Sequence, residues 1–155
     1  MTERYIGRPE GMRRPERDRL AETWGVALYL WDHCDREPLA ELVRMEPIPD
    51  SFREAVAAIT AGTRCPNKKA VAKLKIPAAE HRKIVRELTE ARIFRTFEKQ
   101  VAGSTANRHM KEPIEVIRDS EKAYRAKIDA IAKQYGVSKE AIEGLARTMK
   151  GYLKI

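Results

Sequence analysis

Cysteine is almost missing from this chain. Cys34 and Cys65 are the only two, too few for a disulfide framework and not in the Cys-x-x-Cys spacing of a metal knuckle, so two reduced thiols are expected. Histidine is as scarce: His33, His81 and His109 have no ligand spacing to one another. His33, Cys34 and Asp35 are adjacent, but neighbours on a helix point in different directions, and no metal site is expected. Aromatic residues make up 6%, which is lean. The eight glycines are dispersed, which excludes a glycine-rich loop cradling phosphates. No run approaches the roughly 20 apolar residues of a membrane span, and the opening MTERYIGRPEG lacks the apolar stretch of a secretion signal. A cytoplasmic protein with no membrane partner is therefore expected. Acid–base or nucleophilic catalysis needs positioned carboxylates, histidines or a nucleophile beside its base. No such spacing occurs, and neither an enzyme nor a cofactor is expected.

What the chain has is charge. Its 155 residues are 43% apolar and 35% charged, with a net charge of +8, the profile of a charged globular protein long enough for one domain with a real core or two small lobes, of which one domain is expected. The charge is unevenly spread. Residues 64–86, RCPNKKAVAKLKIPAAEHRKIVR, hold eight Lys or Arg (Arg64, Lys68, Lys69, Lys73, Lys75, Arg82, Lys83, Arg86) against one acid, Glu80. So dense a cluster repels itself unless a polyanion or an acidic partner offsets it, and nucleic-acid phosphates are the commonest such partner. Residues 20–63 are the reverse, with three Arg against eight acids. The two blocks either pair inside the fold or present opposite faces.

The patterning is helical almost throughout. Residues 1–14 read as a flexible basic arm. From Pro15, Leu20, Trp24, Ala27, Leu28 and Trp31 recur at spacings of three and four, so the tryptophans are expected as packing anchors rather than base-stacking platforms. Pro38 opens a short helix through Met45. Ser51 and Glu54 have capping-box spacing for a helix over about 51–61, stopped by Gly62. Residues 15–62 thus form an N-terminal helical region. Ala70, Val71 and Leu74 predict a short helix, and Ile76-Pro77 interrupts it. From Pro77, Ile84, Leu88, Ala91, Phe94 and Val101 predict one long helix to about residue 101, although the alternation of residues 93–97 also fits a strand. GSTAN at 103–107 is the clearest loop signal, and Pro113 adds a break. Ser120 is placed to cap a helix carrying Tyr124, Ile128, Ile131 and Tyr135, and Ser138 to cap a last one carrying Ala141, Ile142, Leu145, Met149, Tyr152 and Leu153. The fold class predicted is mostly α, a multi-helix domain.

Two stretches resemble helix-turn-helix units of DNA-binding repressors. In the first, IAKQYGVSKEAIEGL at 131–145, Ala132 is small where the helices cross, Gly136 permits a left-handed turn, Val137 plugs the angle, Ser138 caps the second helix, and Ile142 and Leu145 pack it down. The resemblance implies that Lys139, Glu140, Glu143, Gly144 and Arg147 face the major groove; Glu140 and Glu143 depart from the pattern by setting two negative charges toward DNA. The second, AVAKLKIPAAEHRKIVRELTEARIF, is similar to winged-helix repressors through Val71, Ile76, Ile84, Val85, Leu88 and Ile93. There His81 stands where a large aliphatic is usual and Lys75 replaces the turn glycine. This resemblance implies Arg82, Lys83 and Arg86 on the outward face of its second helix, phosphate contacts from Lys68 and Lys69, and a small β-wing at 93–108.

Residues 63–112 are accordingly expected as a basic helix-turn-helix or winged-helix-like unit, and 113–155 as a C-terminal helix-turn-helix unit. The function expected is duplex-DNA binding by a small regulator or phage or plasmid protein. Its contacts are assigned to Lys68, Lys69, Lys73, Lys75, Arg82, Lys83 and Arg86, with Ser138, Lys139 and Arg147 behind them. Such proteins often bind as homo-oligomers, and the Trp24/Trp31 helix is the expected dimer surface. The alternative is an all-helical inhibitor or adaptor that docks its basic face on an acidic protein.

Overall fold

The structure, a computed structural model, describes residues 21–102 and 113–153, without the side chains of 21, 97–102 and 113–117. The expected basic arm, the start of the first helix, the GSTAN loop and the wing tip lie outside the described residues. Among those residues the fold is helical, with no strand. A π-helical turn, Ala21–Gly25, runs into α1, Val26–Asp32; α2 is Glu37–Met45, α3 Asp50–Thr60, α4 Lys68–Lys73, α5 Ala78–Ala102, α6 Pro113–Tyr135 and α7 Lys139–Tyr152. Among the described residues no helix is long and apolar enough to cross a membrane.

Two compact units interleave along the chain: Ile76–Gly144 lies in one, and Arg14–Lys75 with Leu145–Ile155 makes the other. The second unit is built on the predicted tryptophan stripe. Trp24, Ala27, Leu28 and Trp31 bury against Leu39 and Leu42 of α2 and Phe52 of α3, with the Trp24 and Phe52 rings 6.2 Å apart. Both tryptophans are taken up by the chain's own core, Trp24 at 0% and Trp31 at 8% exposure, so neither ring is left on the surface for the dimer role assigned to their helix. The capping box also fails to form. Helix α3 begins one residue earlier, at Asp50, with Pro49 at the cap and no side-chain cap hydrogen bond; Asp50 instead pairs with Arg53 at 3.1 Å, a carboxylate stabilised at a helix N-terminus. Gly62 does stop the helix. Its φ of +76° lets the amides of Thr63 and Arg64 return to the Ala58 carbonyl.

In the first unit α5 and α6 lie antiparallel, since Glu87 meets Tyr135 while Arg95 meets Glu121. Ile84, Val85, Leu88 and Ile93 of α5 are buried, as are Ile128, Ile131 and Ala132 of α6 and Ile142 of α7. The wing strand proposed to begin at Ile93 is overturned, because α5 runs unbroken to Ala102. On this helix Ile93 is buried at 1% exposure, while Phe94, expected on the stripe, is 51% exposed. The inner position falls to Ile93, one helical turn beyond Thr89, itself buried with its hydroxyl donating to the Val85 carbonyl at 2.8 Å. Ser120 is likewise not a cap: α6 begins at Pro113 and Ser120 lies buried well inside it.

Candidate functional site

The cationic stretch divides between the units, and its parts have different environments. Arg64 is used internally. Its Nε donates to Asp32 Oδ1 at 3.0 Å and its Nη2 to Oδ2 at 2.6 Å, a bidentate fork on a carboxylate of the acidic block. The Tyr152 hydroxyl donates to the same Oδ2 at 2.6 Å. The hydrogen bonds to Asp32 hold the Arg64 guanidinium above its ordinary pKa, against the opposing effect of burial. Tyr29 packs edge-on against Tyr152, centroids 5.3 Å apart, and stacks on His33 at 4.0 Å. Sequence reasoning missed this cluster, whose partners lie 32 and 120 residues apart.

Immediately after it the chain presents lysines. The Asn67 amide donates to the Asp32 carbonyl at 2.7 Å, and its side chain caps α4 by accepting from the Ala70 amide at 3.0 Å. The sequence carried a signal for this cap that went unread, since Asn is among the best residues for the position. Lys68, Lys69, Lys73 and Lys75 are all exposed. No carboxylate pairs with any of them among the described residues. In the other unit, at the head of α5, Lys83 is exposed and 3.7 Å from Glu80, Arg86 is exposed, and Arg82 is half-buried. His81, where an aliphatic residue is usual, is buried at 7% exposure.

The turn between α6 and α7 has the predicted construction. Gly136 takes a φ of +64°, the Val137 amide donates to the Ala132 carbonyl at 3.0 Å, and Ser138 Oγ accepts from the Ala141 amide at 3.2 Å. Ile131, Ala132, Ile142 and Leu145 are buried. Of the residues assigned to DNA here, Lys139 pairs with Asp129 at 3.4 Å, Ser138 is engaged as the cap, and Arg147 is exposed; Glu140 is exposed and Glu143 half-buried. The described residues contain no group of three His, Cys, Asp or Glu placed to hold a metal ion. No protein-family model, curated protein or solved structure matches the chain.

Proposed function

We propose that this protein binds duplex DNA through its phosphates, with Lys68, Lys69, Lys73 and Lys75 as the principal contacts and Arg82, Lys83 and Arg86 as a second set. The observation that carries the reading is the contrast within one stretch. Arg64 has an internal carboxylate, whereas the four lysines that follow it are exposed with none among the described residues, so an external anion is what would relieve their mutual repulsion. Ser138, Lys139 and Arg147 are secondary, because Lys139 already has Asp129 and the neighbouring Glu140 and Glu143 disfavour approach to phosphate. A small regulator, or a phage or plasmid protein acting as a homo-oligomer on repeated half-sites, is the class this reading fits.

The test is a mobility shift on random-sequence duplex across a salt series. With all four lysines replaced by Ala, affinity should fall for every sequence and the salt slope should flatten by about 3 to 4 units, at roughly 0.9 for each phosphate no longer neutralised. Unchanged binding overturns the assignment. A second reading, docking on an acidic protein, is favoured by Val43 at 41% and Met45 at 63% exposure at the end of α2. No shift at low salt, together with capture of a polyglutamate probe, would support it.

A further inference from the structure

In the unit that does not carry the four lysines, the antiparallel α5–α6 pair leaves an open groove of about 300 Å³, within the size range of small-ligand sites. Small residues, Ala91 from α5 and Ala123 from α6, are among those that line it. Two rings line it: Phe94, half out in solvent, and Tyr124, whose face is covered by the Arg95 guanidinium 3.9 Å from the ring centroid. Arg95 is anchored there by Glu121 at 3.6 Å. Glu90 on the α5 wall and Lys127 on the α6 wall also line the groove. Both are exposed, and among the described residues no ion pair joins them.

We infer that this groove binds a nucleotide, with the base against Phe94 and the Arg95–Tyr124 stack, the phosphate on Lys127, and an exocyclic amino group donating to Glu90. Each ring and each unpaired charge of the walls then has a use. An aliphatic anchor from a protein would use the rings and leave Lys127 idle; an acidic peptide would use Lys127 and set its carboxylates against Glu90. A phosphorylated base carrying a donor edge matches the rings, the cations and the acid together. The site goes beyond the duplex reading and does not depend on it. Stacking on exposed aromatics with flanking cations is how unpaired nucleotides are held, whether free or within a single strand.

Ring signals of Tyr124 and Phe94, followed by NMR in the intact protein, read the groove directly. Deoxycytidine monophosphate and a short single-stranded oligodeoxycytidylate are the two probes, and a response to the strand alone identifies an unpaired nucleotide within a chain as the ligand. The signals should shift with at least one probe. Phe94→Ala should weaken that binding at least about fivefold, as removal of a stacking platform does, and Lys127→Ala should weaken it through the lost phosphate contact, both with unchanged circular dichroism. Glu90→Gln should reduce the preference for amino-bearing bases over thymine. Rings that fail to move with either probe, or binding indifferent to Phe94→Ala, overturn the inference, as does a shift with an acidic aromatic peptide and none with nucleotides. The four-lysine variant separates the two proposals, since it should weaken the duplex shift and leave the Tyr124 response intact.

Discussion

Asp32 joins three segments of the chain through one carboxylate. Its carboxylate takes the Arg64 fork and the Tyr152 hydroxyl, tying the chain after α3 and the end of α7 to the end of α1. A hydrogen bond to a charged, part-buried acceptor contributes about 1.5 kcal/mol or more; Tyr152→Phe should lower unfolding stability at neutral pH by about that amount in a urea titration. The alkaline behaviour follows from the same residues. Burial, and then Tyr152, raise the Tyr29 pKa above the ordinary 10.0, and burial, followed by the hydrogen bond to Asp32, does so for Tyr152. A group whose pKa is higher in the folded state contributes stability that is complete below its unfolded value and falls away as pH rises toward the folded one. Stability should therefore decline above about pH 10, and Tyr152→Phe should make the decline shallower; an equally steep fall in the variant would contradict the assignment. Two glycines make a paired test. A Cβ at Gly25 would collide with the Tyr152 carbonyl oxygen, whereas one at Gly136 meets open space but a left-handed backbone. Gly25→Ala should cost about 2 to 3 kcal/mol through forced displacement of backbone, and Gly136→Ala about 1 kcal/mol through conformation alone. Thermal melts of the two variants would rank them.

Among the elements, α4 has the least internal support. It is six residues long with none buried, far shorter than a helix that is stable alone, and its first turn carries two lysines where the helix dipole favours anions. What holds it is the Asn67 cap and the amide of Asn67 on the Asp32 carbonyl. Asn67→Ala should cost about 1 kcal/mol and, by loosening the lysines, weaken duplex binding, while Lys-to-Ala changes weaken it with stability kept or raised, since they remove like charges and a clash with the helix dipole. Hydrogen exchange at the Ala70 amide would report the fraying. Helix α5 has the opposite character. Its buried face is broad, from Ile84 and Val85 to Ile93, and this breadth misleads a search for a single stripe: Phe94 fits the spacing from Leu88 and Ala91 yet faces solvent, because Ile93 and Thr89 take the inward positions. The groove of Phe94, Arg95, Tyr124 and Lys127 was therefore invisible as a site, with its α5 aromatic assigned to the core.

At the scale of the whole molecule, a net charge of +8 means that compaction works against long-range repulsion. Raising salt from about 10 mM to about 100 mM shortens the Debye length from roughly 30 to 10 Å, so the thermal midpoint should rise with salt over this range, while any duplex affinity falls. A midpoint that drops instead would mean that attractive pairs such as Asp32–Arg64 outweigh the repulsion. Local pattern alone determined the helical class, the tryptophan core, the stops at Gly62 and Gly136 and the Ser138 cap, because periodicity, a cap and a left-handed glycine each act within a turn or two of chain. It also located the lysine cluster, since charge density is a property of composition. Tertiary structure alone decided which cation of that cluster is committed to Asp32, that Ile93 and not Phe94 turns inward, and that Phe94, Arg95 and Tyr124 share a groove with Lys127. Each of these depends on which distant segment arrives to compete for a side chain, and that competition is settled by packing, on which neighbours in the sequence are silent.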